Sequence, residues 1–134
     1  MTWGKKKSKK KTGDLAEIWV RNYLISKGYS VHRAQRSYNR LPGGRIFMKS
    51  NDIFGCDIIA IKKDSMVNFI QVTRHSGVGK KLEELKKVKW NFDVCKVQIW
   101  QSPESGRWRV LEYNGKELRK IAEIRRGEYL ELKE

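Results

Sequence analysis

Four side chains carry chemistry by type and spacing: Glu17, Asp57, Gln71 and Thr73. Asp57 opens the apolar run Asp57-Ile-Ile-Ala-Ile61. Gln71 and Thr73 stand two apart in the run Met66-Val-Asn-Phe-Ile-Gln-Val-Thr73, so in an extended strand they share a face. The turn Lys62-Lys-Asp-Ser65 between the two runs predicts a hairpin that brings that face to Asp57. Glu17 lies in a helical segment able to pack across the same sheet. Oxygen donors converging at one sheet edge suit a hard cation, Mg²⁺ first, with Mn²⁺ as a substitute. A metal held there activates water and offsets charge on a phosphate. Each residue also has a plainer reading. Glu17 fits the last position of a capping box, Asp57 ends a turn, Gln71 is a hydrogen-bonded sheet residue, and Thr73 is an ordinary strand residue.

The elements that must position them follow from periodicity. Asp14-Leu-Ala-Glu17 reads as a helix start. Leu15, Ile18, Trp19, Tyr23 and Leu24 recur at helical spacing, and Gly28 supplies an end. Tyr29 to Arg33 alternates as a short strand, and residues 34–52 read as a loop around Pro42-Gly43-Gly44. The continuous run at 57–61 predicts a strand covered on both faces. After the break at Gly77 to Gly79, Lys80 to about Trp90 forms an amphipathic helix with Leu82, Leu85 and Val88 inward. Strands follow at Cys95–Gln101 and Trp108–Tyr113. A short helix is expected over 115–126 and a last strand at Tyr129–Leu132. Trp90, Trp100 and Trp108 are read as core. The sum is an α/β single domain: a mixed central sheet flanked by helices.

The 134 residues carry 30 Lys/Arg against 15 Asp/Glu, a net charge of +15. Residues 1–50 hold 13 of the cations and only 2 of the acids. The block Lys5-Lys-Lys-Ser-Lys9-Lys10-Lys11 cannot bury, so residues 1–12 are expected to be a disordered basic arm and 13–134 the folded domain. Arg33, Arg36, Arg40 and Arg45 form a second basic group. Such charge points to a polyanion. No apolar run is long enough for a bilayer span, and no apolar stretch follows the leading lysines as a secretory signal requires. Cys56 and Cys95 make neither a disulfide framework nor zinc spacing. A cytoplasmic protein without a membrane partner or small-molecule cofactor is expected.

These residues and their order resemble a known family. The matching segments are Lys11-Thr-Gly-Asp-Leu-Ala-Glu17, Lys27-Gly28-Tyr29-Ser-Val31, Arg33-Ala34 with Ser37, Cys56-Asp57-Ile-Ile-Ala60 and Phe69-Ile-Gln71-Val-Thr73. Over about residues 11–76 the chain resembles the archaeal-type Holliday junction resolvases of the PD-(D/E)XK nuclease superfamily. The resemblance implies a restriction-endonuclease-like fold. It also implies a Mg²⁺-dependent endonuclease that cuts branched DNA, four-way junctions above all, as a homodimer. Glu17 then resembles the first-helix acid, Asp57 the central metal ligand and Ser37 a serine near the DNA. Gln71 stands at the family's second acidic position and Thr73 at its lysine position. Both depart from the pattern, leaving two carboxylates where three are usual and no lysine. Arg74, Lys80 or Lys62 would have to provide the missing cation, and Asp52 is a further carboxylate. Two alternatives stay open: a DNA-binding module of the same fold without the chemistry, or a repair- or restriction-type endonuclease on duplex or flapped DNA.

Overall fold

The computed structural model describes residues 9–34, 36–40, 43–44, 46–50, 53–103 and 106–125. The chain runs α1 (Lys9–Ser26), β1 (Ser30–Arg33), β2 (Arg36–Arg40), β3 (Ile46–Ser50), β4 (Ile58–Ile61) and β5 (Val67–Thr73). A single 3-10 turn, His75–Gly77, leads into α2 (Val78–Lys86), followed by β6 (Cys95–Gln101), β7 (Arg107–Tyr113) and β8 (Leu118–Arg125). Among the described residues six strands form one mixed sheet in the order β1-β4-β5-β6-β7-β8, and β2 pairs with β3 in a separate two-stranded sheet. In the six-stranded sheet β5 and β6 are the parallel pair, and the other neighbours are antiparallel. A parallel pair needs a crossover, and α2 is that crossover.

β5 decides where the core lies. Ile70 and Val72 point to one face and pack with Val20, Leu24, Ile58, Ala60, Trp100 and Trp108 beneath α1. Val67 and Phe69 point to the other and pack with Leu85, Val97, Ile99 and Tyr113 beneath α2. Helix, sheet and helix therefore make three layers. Trp19 of α1 stacks on Trp108 at 4.7 Å between ring centres, so that tryptophan is core, as is the buried Trp100. Cys56 and Cys95 are both buried. Among the described residues no helix is long and apolar enough to cross a membrane.

Three sequence expectations need correction. The first helix begins at Lys9, not Asp14, so residues 9–12 of the expected disordered arm are helical. Lysine is a fair helix former, and the cost of Gly13 inside the helix is about 1 kcal/mol relative to alanine. Residues 1–8 lie outside the described residues. Because Asp14 is interior to α1, Glu17 is not the third residue of a capping box, and that plainer reading of Glu17 falls. The expected loop at 34–52 contains the β2–β3 hairpin, turning at Gly43 and Gly44 with φ of +87° and +84°. β2 is polar and β3 opens on the short apolar run Ile46-Phe47-Met48, and neither shows the alternation that marks a half-buried strand. The expected helix at 115–126 is instead β8, which completes the ladder of β7. Its side chains are mostly exposed, so apolar spacing says little there, and the open hydrogen-bonding edge of β7 decides. The expected strand at 129–132 lies outside the described residues.

The end of α1 agrees with the expectation. The Tyr29 N–H donates to the Leu24 carbonyl and the Gly28 N–H to that of Ile25, both at 3.0 Å. These bonds close the helix through Gly28, whose φ is +94°. A Cβ at Gly28 would meet only the Lys62 side chain, at 3.6 Å, so the cost of a substitution is backbone strain rather than collision. Gly28→Ala should therefore lower stability by about 1–2 kcal/mol in urea denaturation.

Candidate functional site

The hairpin of β4 and β5 builds the site. Ile58 pairs with Ile70 and Ala60 with Asn68. One step further, the Asp57 N–H donates to the Ile70 carbonyl and Asp57 Oδ2 accepts from the Val72 N–H, each at 2.9 Å. These two bonds bracket Gln71, so Asp57 stands beside it across the ladder. The Ala34 N–H donates to the Asp57 carbonyl at 2.7 Å and ties the same point to the end of β1. A carboxylate accepting a backbone N–H is fixed in direction.

Gln71 is fully buried. By alternation from Phe69 it faces α2, where its Nε2 donates to Glu84 Oε2 over a long 3.5 Å. Gly55 lies against the same amide: a Cβ there would come within 3.3 Å of Gln71 Nε2. The φ of +78° at Gly55 also favours glycine. Gln71 Oε1 is buried without a hydrogen-bond partner. Leaving an acceptor in that state costs about 1–3 kcal/mol. A bound cation would satisfy it, so the donor set of Asp57, Gln71 and Glu84 suits a hard metal in type. Among the described residues no group of three His, Cys, Asp or Glu comes close enough to hold a metal by itself.

Glu84 was not among the sequence candidates. It is an acid on the exposed side of an amphipathic helix, half a chain-crossover away from Gln71. Only the packing of α2 on β5 brings the two together. It also lies 3.9 Å from Lys81 Nζ.

Glu17 is reached from the other face. It is buried on the stripe of α1 that includes Val20 and Leu24, and its Oε1 accepts from Arg33 Nε at 2.9 Å. Arg33, read from sequence as a phosphate contact, is thus engaged by an acid. Since Arg33 pairs with Ile58 in the sheet, Glu17 is linked through β1 to the residue following Asp57. Gln71 and Glu17 therefore address opposite faces, with Asp57 at the end of the strand between them. Thr73 pairs with Gln101, and its side chain lies against Gly77, where a Cβ would collide with its hydroxyl.

Arg74 and Lys80 are exposed at this end of the sheet, just after β5 and in the first turn of α2. Lys62 is at the wrong end: it follows β4, five residues from Asp57, or roughly 16 Å along an extended chain. Its Nζ sits over the Tyr29 ring, 5.4 Å from the centre. The backbones of Lys9, Lys10 and Lys11 are in α1 and those of Arg36, Ser37 and Arg40 in β2, with their side chains outside the described residues. Arg45 and Asp52 lie outside them altogether. Burial pushes the Cys95 thiol up from its ordinary pKa, against a smaller opposing effect of the Asn91 carbonyl.

No protein-family model, curated protein or solved structure matches this chain.

The Glu17–Arg33 pair invites a direct measurement. Glu17→Gln and Arg33→Gln should each lower stability by about 1.5–3 kcal/mol. The double variant should lose less than the sum in urea denaturation, because each single change strands the other charge.

Proposed function

We propose that this chain is a metal-dependent endodeoxyribonuclease of the restriction-endonuclease-like fold, acting on branched DNA and most specifically on four-way junctions. The observation that carries the reading is Gln71: a buried amide with an unpartnered oxygen, bracketed by the two hydrogen bonds of Asp57 and facing Glu84. A structural glutamine in that position would be expected to use both ends of its amide. The element order, with a helix, an antiparallel β4–β5 hairpin and a crossover helix into a parallel strand, is a further support for the reading.

In this reading Asp57 and Gln71 are the central ligands of Mg²⁺, or of Mn²⁺ in its place. Glu84 from the α2 side is the flanking carboxylate, and Glu17, on the α1 face and held by Arg33, contributes negative charge behind the site rather than a ligand. When bound, the metal supplies an activated water and offsets charge on the scissile phosphate. The protein does the rest. The Val72 N–H holds the Asp57 carboxylate in one orientation. Arg33 holds Glu17 and balances its charge in a partly buried position. Arg74 and Lys80 provide positive charge that Thr73, at the usual lysine position, lacks. Cutting both strands of a junction requires two such sites, so the acting species is a homodimer.

The test is cleavage of a labelled four-way junction beside its matched linear duplex, with Mg²⁺, Mn²⁺ or chelator. Paired, metal-dependent nicks confined to the junction are expected. Cleavage of duplex at the same rate would instead favour a repair- or restriction-type endonuclease. Tight binding without cleavage under either metal would leave a DNA-binding module. Asp57→Ala should lower cleavage by about a hundredfold or more while leaving DNA binding nearly unchanged. Glu84→Gln should lower cleavage and raise the metal concentration needed for half-maximal rate, which separates a ligand role from a merely structural one.

A further inference from the structure

Beyond the site itself, the sheet carries a basic surface that none of the sequence candidates includes. At the end of the sheet where Thr73 lies, the registers align one row on the α2 face. Thr73 pairs with Gln101, Gln101 with Arg109, and Arg109 with Glu123. Strands are spaced about 4.8 Å apart, so the Arg109 backbone is about 10 Å from that of Thr73. Arg107 pairs with Arg125, and alternation puts both on the same face as Arg109. The intervening residues Trp108 and Ile124 point to the α1 core. Lys120 reaches the same acid as the two β7 arginines. Its Nζ lies 2.9 Å from Glu123, with Arg107 at 3.5 Å and Arg109 at 3.9 Å. Three cations thus surround one carboxylate, and Arg125 stands beside Arg107 across the ladder. Lys120, by hydrogen bond and by charge, holds that carboxylate below its ordinary pKa. Arg107 and Arg109 remain more than half exposed.

We propose that Arg107, Arg109 and Arg125 form a phosphodiester-binding track that leads a nucleic-acid strand across the sheet end toward Thr73 and Asp57. The proposal rests on the nuclease reading for its destination, but not for its surface. Three considerations favour nucleic acid. Guanidinium groups match phosphate oxygens two at a time, and three of the four cations are arginines. Arg107 and Arg109 are two residues apart, about 6.8 Å along the strand, which lets them engage neighbouring phosphates. The track is also continuous with exposed Arg74 and Lys80, so the positive surface leads to the candidate site rather than away from it.

The experiment is DNA binding by the full chain, read by fluorescence anisotropy of a labelled four-way junction and a linear duplex over a salt series. The variants are Arg107→Gln/Arg109→Gln together, Arg125→Gln alone, and Arg119→Gln as a control. Arg119 pairs with Glu112, on the opposite face by alternation. The slope of log affinity against log salt should fall by about 1.8 in the double variant and about 0.9 in Arg125→Gln, and stay unchanged in Arg119→Gln. Thermal unfolding should not move appreciably, because the ion pairs removed are exposed. Wild-type binding with an unchanged slope in both test variants would overturn the track and leave the nuclease reading standing. An equal loss of binding to anionic phospholipid vesicles would also overturn it, as the surface of a general polyanion binder. The expected slopes without cleavage of any DNA would uphold the track and remove the nuclease reading. A wild-type chain that binds no DNA would remove both.

Discussion

Everything in this fold is arranged around a strand buried on both faces. β5 lies inside the sheet, with β4 antiparallel on one side and β6 parallel on the other. Its side chains alternate strictly between two cores, one beneath α1 and one beneath α2. No position from Asn68 to Val72 can avoid the interior. A polar residue placed there must find partners or carry a desolvation penalty of a few kcal/mol. Asn68 and Gln71 are such residues, and both retain an unpartnered oxygen. Asn68 at least belongs to a network: its Nδ2 donates to Gln98 Oε1, which also accepts from Trp100 Nε1, while Gln98 Nε2 donates to Glu112. Gln71 has only the long contact to Glu84. The difference separates a polar group that helps specify the sheet from one that stands next to carboxylates with an acceptor to spare.

The crossover supplies the chemistry that β5 lacks. Because β5 and β6 are parallel, the chain must travel back over the sheet between them, and it does so as α2 on the Gln71 face. That path delivers Glu84 to Gln71 and leaves Lys80 and Arg74 at the sheet end. The constraint that closes the fold also restores a negative charge near a neutral amide. On the other face, α1 brings Glu17 against Arg33. A mostly buried ion pair gains little net stability relative to apolar packing, although breaking it is costly.

Electrostatics divide in the same way. The sequence concentrates cations in its first 50 residues, yet the described cations nearest Thr73 come from Arg74, α2 and the late strands β7 and β8. Arg33, one of the early cations, is paired with Glu17. Charge along a chain and charge on a surface differ because a sheet juxtaposes strands by register, not by sequence distance.

Legible in the sequence were the strands expected at 57–61, 66–73, 95–101 and 108–113, each found within a residue of those bounds, the end of α1 at Gly28, and an amphipathic helix expected over 80–90 and found at 78–86. In each, apolar periodicity or a glycine with positive φ is a local signal. The sequence by itself also determined that Asp57 and Gln71 would meet, because a short turn between two apolar runs leaves a hairpin as the natural pairing. Only the tertiary structure decided what met them. Glu84 comes to Gln71 through helix packing, Glu17 to Arg33 across 16 residues, and Arg107, Arg109 and Arg125 to one face by strand register. The strands β2, β3 and β8 were equally invisible locally. β2 is polar in sequence, the short apolar run of β3 has no alternation and β8 is mostly exposed; what makes each a strand is a hydrogen-bonding edge supplied by a neighbour.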